Sequence, residues 1–129
     1  MKVVVIGNGM VGQRFLEQLA KRSPDADITV FCEEPRPAYD RVQLTSYFGG
    51  KTAEDLSLAP KKFFQDSKVT LRLNDAVRGI DAQRKVVRSA RYKDVPYDKL
   101  VLATGSYPFV QPVAGKDRTT GGAGRGYFF

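Results

Sequence analysis

Three glycines at fixed spacing and a pair of acids carry the chemistry legible in this chain. Gly7, Gly9 and Gly12 stand in KVVVIGNGMVG, after the apolar run Val3 to Ile6 and before an amphipathic stretch that begins at Met10. This is a G-x-G-x-x-G turn between a strand and a helix, and the chemistry it suits is the binding of a pyrophosphate. Gly7 permits the tight turn out of the strand. Gly9 has no Cβ, so the backbone can approach a phosphate closely. Gly12 lets the helix pack tightly on the strand. The start of the helix presents free N–H groups and the positive end of its dipole to the phosphates. Glu33 and Glu34 follow about 20 residues beyond Gly12, at the end of a second apolar segment, DITVFC. A carboxylate there accepts hydrogen bonds from the 2′- and 3′-hydroxyls of an adenosine ribose and repels a 2′-phosphate. Either acid meets the spacing. The implied ligand carries an adenosine without a 2′-phosphate, as in FAD or NAD.

Other chemistries are thinly represented. There is one cysteine, Cys32, and no histidine. That excludes an internal disulfide framework and paired redox cysteines, and argues against a zinc or iron–sulfur site within the chain. Cys32, at a strand end, reads as a partly buried, inert thiol. Nothing qualifies as a catalytic acid, base or nucleophile. The net charge of +7 comes from scattered cations, among them Lys61, Lys62, Arg84, Lys85, Arg88, Arg91 and Lys93. No nucleic-acid signature accompanies them, and phosphate attraction or a docking surface explains the charge more simply. No apolar run approaches the ~20 residues needed to span a bilayer. The N-terminal one is short and ends in the glycine turn, unlike a secretory signal. The expectation is a cytoplasmic chain without a nucleic-acid or membrane partner.

These residues need a scaffold. Met10 to Arg22 places Val11, Phe15, Leu16 and Leu19 on one helical face, and Ser23-Pro24 stops the helix. Parallel strands are predicted near residues 2–6, 28–32, 69–73 and 99–103, with the last beside the first. Between the second and third lie the turn-rich EEPRPAYDR, a short helix over Val42 to Phe48, and a turn in TAEDL capped by Thr52. Pro60 opens another short helix that turns Phe63 and Phe64 to the core. Ala76–Ile80, Lys85–Arg88 and Arg91–Val95 read as short antiparallel strands, a meander serving as crossover. Tyr97–Ala103 reads as a buried strand ending in Thr104-Gly105. The fold class is therefore α/β: a Rossmann-like parallel sheet of about four strands with a three-stranded antiparallel β-meander crossover. Residues 1–112 form the domain, and 113–129, glycine-rich and ending in Tyr127-Phe128-Phe129, read as a linker or tail.

In combination, GNGMVG, ITVFCEEPRPAYDRVQLTSYF, KTAEDLSL and YDKLVLATGSYPFVQPVAG resemble the FAD-dependent pyridine nucleotide oxidoreductases, in the branch of the NAD(P)H nitrite reductase large subunits. The resemblance runs from residue 1 to residue 118 or so. It implies that Gly7, Gly9, Met10 and Gly12 hold the FAD pyrophosphate, and Glu34, or in second place Glu33, the adenosine ribose. Arg41 would lie along the flavin side, neutralising pyrophosphate charge or hydrogen-bonding the cofactor. Val77 would offer backbone groups to the adenine edge, and Thr104 and Gly105 would close over the cofactor at a strand end. Ser46 stands where related ferredoxin reductases carry a lysine, and Gln13 and Gln43 stand where nitrite reductase relatives commonly carry histidine. In such enzymes, which serve nitrate assimilation, electrons pass from NAD(P)H through FAD to an acceptor. The NAD(P)H domain, a return strand, and the sirohaem and iron–sulfur modules belong to parts of the intact enzyme outside the matching region. The expectation is thus an inactive portion of a larger flavoenzyme, with an open sheet edge that invites self-association. The alternative is a non-catalytic module that binds adenine nucleotides.

Overall fold

The computed structural model describes residues 1–59, 61–106, 109, 111–112 and 114. Pro60 and nearly all of the glycine-rich stretch from 113 onward, with its terminal aromatics, lie outside the described residues.

Four strands form the parallel sheet: β1 (Lys2–Ile6), β2 (Asp27–Phe31), β3 (Val69–Arg72) and β7 (Lys99–Leu102), in the order β3-β2-β1-β7. The first three are rich in β-branched residues, and side chains alternate between the two faces of the pleat. Val3, Val5, Ile28, Val30 and Val69 point to one side, where helices α1 (Met10–Arg22) and α3 (Lys61–Asp66) bring Leu16, Leu19, Phe63 and Phe64. Val4, Ile6 and Phe31 point to the other, where Val77, Val87 and Val95 of a second sheet cover them. A sheet covered on both faces explains the unbroken apolar run of β1. The second sheet is antiparallel, ordered β4 (Val77–Asp81), β5 (Val86–Ser89) and β6 (Val95–Pro96). It is the meander expected between β3 and β7.

Four local expectations are corrected. The α1 face toward the core is Gly12, Gln13 and Leu16, whereas Val11 is 78% exposed and Phe15 is exposed as well. The third meander strand is two residues long instead of Arg91–Val95. The backbone amides of Arg91 and Tyr92 go to the Ser89 hydroxyl, and that of Arg91 also to Asp75, which removes them from the ladder. The segment Val42 to Phe48 is helical only over Thr45–Phe48 (α2). Before it, Asp40 Oδ1 accepts the amides of Val42 and Gln43 and holds a turn. Finally, β7 is a half-exposed edge strand instead of a buried one, since among the described residues it pairs with β1 alone. The Thr52 turn is as expected: its amide and hydroxyl donate to Asp55 Oδ2 at 2.8 and 2.9 Å.

Candidate functional site

The parallel register aligns Ile6, Phe31, Arg72 and Leu102 at one rim of the sheet. The ladder runs one residue further, through Gly7 N–H to the Phe31 carbonyl and Ala103 N–H to the Ile6 carbonyl, both at 2.8 Å. Every candidate residue near the glycine turn hangs from this rim, the carboxyl end at which open α/β sheets bind ligands.

The three glycines have three separate causes. Gly7 has φ +104°, and a Cβ built there would meet the Ala103 carbonyl oxygen at 2.1 Å. Gly12 would bring a Cβ to 2.6 Å from the Gly7 carbonyl oxygen. Both are required by the chain's own packing. Gly9 is different: its φ of −86° suits any residue, and a Cβ there would meet nothing within 4 Å. Its lack of a side chain leaves a cradle open in front of the helix. The first α1 hydrogen bond runs from Gln13 N–H to the Gly9 carbonyl, and no side chain caps the turn. The amides of Met10, Val11 and Gly12 therefore precede the helical ladder and stand at its positive end. A pyrophosphate fits this arrangement.

Thr104 and Gly105 follow β7 at this rim. The Thr104 nitrogen lies 3.0 Å from the place of a Gly7 Cβ, and Gly105 takes a left-handed φ of +68°. Glu34 is half-buried and Glu33 exposed at the end of β2. The Glu34 carboxylate accepts the Arg41 guanidinium, which also lies 5.2 Å over the Tyr39 ring. Arg41 is thus seated on the acid expected at the ribose. Partial burial, then the Glu34 charge, raises the Tyr39 phenol above its ordinary pKa. The Glu34 carbonyl is anchored by Asn74 N–H at 3.1 Å. Val77 packs its side chain into the core between the two sheets. Cys32 is buried, and that burial raises its thiol pKa, while the thiol donates to the Arg36 carbonyl at 3.4 Å.

Sequence reasoning missed three buried polar groups. Asn8 and Gln13 are hydrogen-bonded to each other beneath the turn. A signal for Gln13 was available: it stands three residues before Leu16, on the core stripe of α1. Asp75 is fully buried, accepts the Ser89 hydroxyl at 2.6 Å and Arg91 N–H at 3.2 Å, and donates its own amide to the Cys32 carbonyl. It ties the meander to the end of β2.

A strand, a glycine turn, a helix whose leading amides face an open cradle, and an acid just beyond the second strand make a Rossmann-type α/β half-domain, a fold class suited to a dinucleotide. The pyridine nucleotide-disulphide oxidoreductase family matches residues 1–127, and the chain belongs to it. Among curated relatives, the NADH nitrite reductase large subunit of Escherichia coli K12 is 49% identical over 91% of this chain and 14% of its own length. The NAD(P)H nitrite reductase large subunit of Klebsiella oxytoca is 52% identical over 88% of this chain and 12% of its own. The chain therefore spans about one seventh or less of those relatives. Among solved structures, a NAD-dependent persulfide reductase from A. fulgidus superposes with a TM-score of 0.82 at 28% identity, covering 92% of this chain and 24% of that one. A chain of the covalent putidaredoxin reductase–putidaredoxin complex gives 0.81 at 28% identity, over 88% and 28%. The family's name mentions disulphides, yet Cys32 is alone in this sequence, so no dithiol pair forms within it.

Proposed function

We propose that this chain is the FAD-binding portion of an NAD(P)H-dependent flavin oxidoreductase of the nitrite reductase large-subunit type, working in the cytoplasm. The observation that carries the reading is Gly9, whose missing Cβ serves nothing inside the protein and leaves room in front of the α1 amides. Gly7 and Gly12 shape that turn, and the amides of Met10, Val11 and Gly12 hold the pyrophosphate. Glu34, with Glu33 beside it, receives the ribose hydroxyls. Arg41 steadies the Glu34 carboxylate and brings positive charge to the phosphate side. The backbone at Val77 borders the adenine, and Thr104-Gly105 closes the rim. A bound flavin supplies the electron chemistry, and the protein supplies binding and orientation.

Among the described residues none is placed as acid, base or nucleophile around the turn, and in this reading hydride donation and the final acceptor fall to parts beyond the matching region. NAD(P)H, sirohaem and iron–sulfur chemistry belong there too. A second reading, a non-catalytic module for ADP-containing ligands, is favoured by the same lack of reactive side chains around the turn. In either reading the ligand is a small nucleotide, and the β7 edge, which pairs with β1 alone among the described residues, supports self-association.

Purification with added FAD separates the two. A yellow protein retaining a flavin band supports the first reading, and a colourless protein that binds ADP supports the second. With FAD, NADH and nitrite or ferricyanide, the isolated chain is expected to oxidise no NADH above the free-flavin control, because nothing in it orients the nicotinamide.

A further inference from the structure

Asn8 sits between Gly7 and Gly9 and is only 7% exposed. Its Nδ2 donates to Gln13 Oε1 at 3.1 Å, on the first turn of α1. Its Oδ1 accepts the backbone N–H of Ala38 at 2.8 Å, thirty residues away in sequence. Gln13 is 2% exposed, and its Nε2 reaches Glu17 Oε1 at 3.5 Å, so the buried amides are satisfied as a chain. Ala38 lies midway between Glu34 and Arg41, in a segment with no regular ladder. That segment is tied on one side to residues 56–58, through Asp40 N–H to the Leu56 carbonyl at 2.8 Å, Leu58 N–H to the Ala38 carbonyl at 2.9 Å and the Tyr39–Ser57 bridge. At its start it is held by Asn74 N–H to the Glu34 carbonyl and the Cys32 thiol to the Arg36 carbonyl; the bond from Ala38 N–H to Asn8 is its link to the phosphate turn. One side chain thus joins the phosphate turn, the helix start and the arm that presents the ribose carboxylate with its arginine.

We infer that Asn8 is a positioning residue that couples the pyrophosphate turn to the ribose arm, so that the two halves of an ADP-containing ligand bind cooperatively. The inference rests on the proposed function. A ligand that fixes the backbone of Gly7 to Gly9 fixes the Asn8 Cα between them. With both ends of its amide engaged, the Asn8 side chain has little rotational freedom left. The Ala38 amide, and with it the Glu34–Arg41 arm, is then ordered by an event at the phosphates. A ribose that arrives afterwards meets an arm already in place and bears less of the ordering entropy.

Wild-type protein supplies the first test. ADP binding by calorimetry, and its loss in Gly9→Val, tests the functional reading itself, and no ADP binding defeats that reading alone. Given ADP binding, inorganic pyrophosphate should slow hydrogen exchange at Ala38 as well as at Gly9 and Gly12. Saturating pyrophosphate should also tighten adenosine binding by about fivefold, within the usual range for coupled neighbours. Protection confined to Gly9 and Gly12, with adenosine affinity unchanged, overturns the coupling without touching the functional reading. The second test is a double-mutant cycle on ADP affinity. Glu34→Ala should weaken ADP about tenfold in the parent and about twofold or less once Asn8→Ala is present. Asn8→Asp retains an acceptor for Ala38 N–H and should restore the full Glu34→Ala effect, although its own charge lowers ADP affinity. Effects that simply multiply in the cycle refute the proposal, whereas a merely structural Asn8 would lower stability in Asn8→Ala and leave the factors independent.

Discussion

Gly9 and Gly12 are three residues apart, and adding a side chain at each should have opposite consequences. A methyl at Gly12 meets the Gly7 carbonyl oxygen at 2.6 Å, so Gly12→Ala must displace α1 or the turn, at a cost of about 1–3 kcal/mol in urea unfolding. A Cβ at Gly9 meets nothing within 4 Å, so Gly9→Val should cost only the ~1 kcal/mol of a poorer helix cap and abolish ADP binding measured by calorimetry. A Gly9→Val protein that binds ADP like the parent would sink the phosphate-site assignment. Cys32 offers a second contrast at this scale. Burial raises its thiol pKa, so the folded state holds that proton more tightly than the unfolded chain does. The resulting stability is complete below the ordinary thiol pKa and is lost as pH rises through the folded value. Alkylation of the native protein at pH 7 is therefore expected to be slow. Stability should fall on the alkaline side more steeply in the parent than in Cys32→Ala, as read by denaturant midpoints across that range.

The elements differ in how openly the sequence shows them. β1, β2 and β3 are runs of β-branched residues bounded by turn signals, and their places and order follow from pattern and from the parallel crossover rule. The glycine turn is equally legible, because each glycine answers to a backbone constraint. The burial of α1 is not: Val11 and Phe15 match the helical period, but which stripe faces the sheet is decided by Gly12 seated on Gly7 and by Asn8 drawing Gln13 inward. The third meander strand is short for a similar reason, since Asp75 and Ser89 capture amides that would otherwise pair. The same clasp makes a prediction. Asp75→Ala leaves the Ser89 hydroxyl without its buried acceptor and Arg91 N–H with Ser89 Oγ alone, so the domain should lose about 1–3 kcal/mol. Hydrogen exchange should accelerate first in β5 and β6 and leave the β1–β2 ladder protected. Uniform acceleration across both sheets would show that the meander is not a separately held unit.

At the scale of the whole molecule, two features stand unpartnered among the described residues. Among the described residues β7 pairs only with β1, and Leu102 is 63% exposed. A Cβ built on Gly12 of α1 would lie 3.6 Å from the Ala103 Cβ just beyond β7, and the same helix carries the exposed Val11 and Phe15. An apolar edge of this kind is a template for another strand, and a second copy of the chain can supply one. Opposing it is the net charge of +7, which makes two copies repel. The two forces respond oppositely to salt. Screening shortens the repulsion to about 8 Å at physiological ionic strength and less above it, whereas edge pairing and apolar burial are little affected. Self-association should therefore strengthen as salt rises, as followed by sedimentation velocity at fixed protein concentration. Leu102→Lys places a charge on the edge at an exposed position, so it should return the chain to monomer while ADP binding persists. Association that weakens with salt would trace to ion pairs between copies, and a Leu102→Lys protein that still associates would place the contact elsewhere than β7.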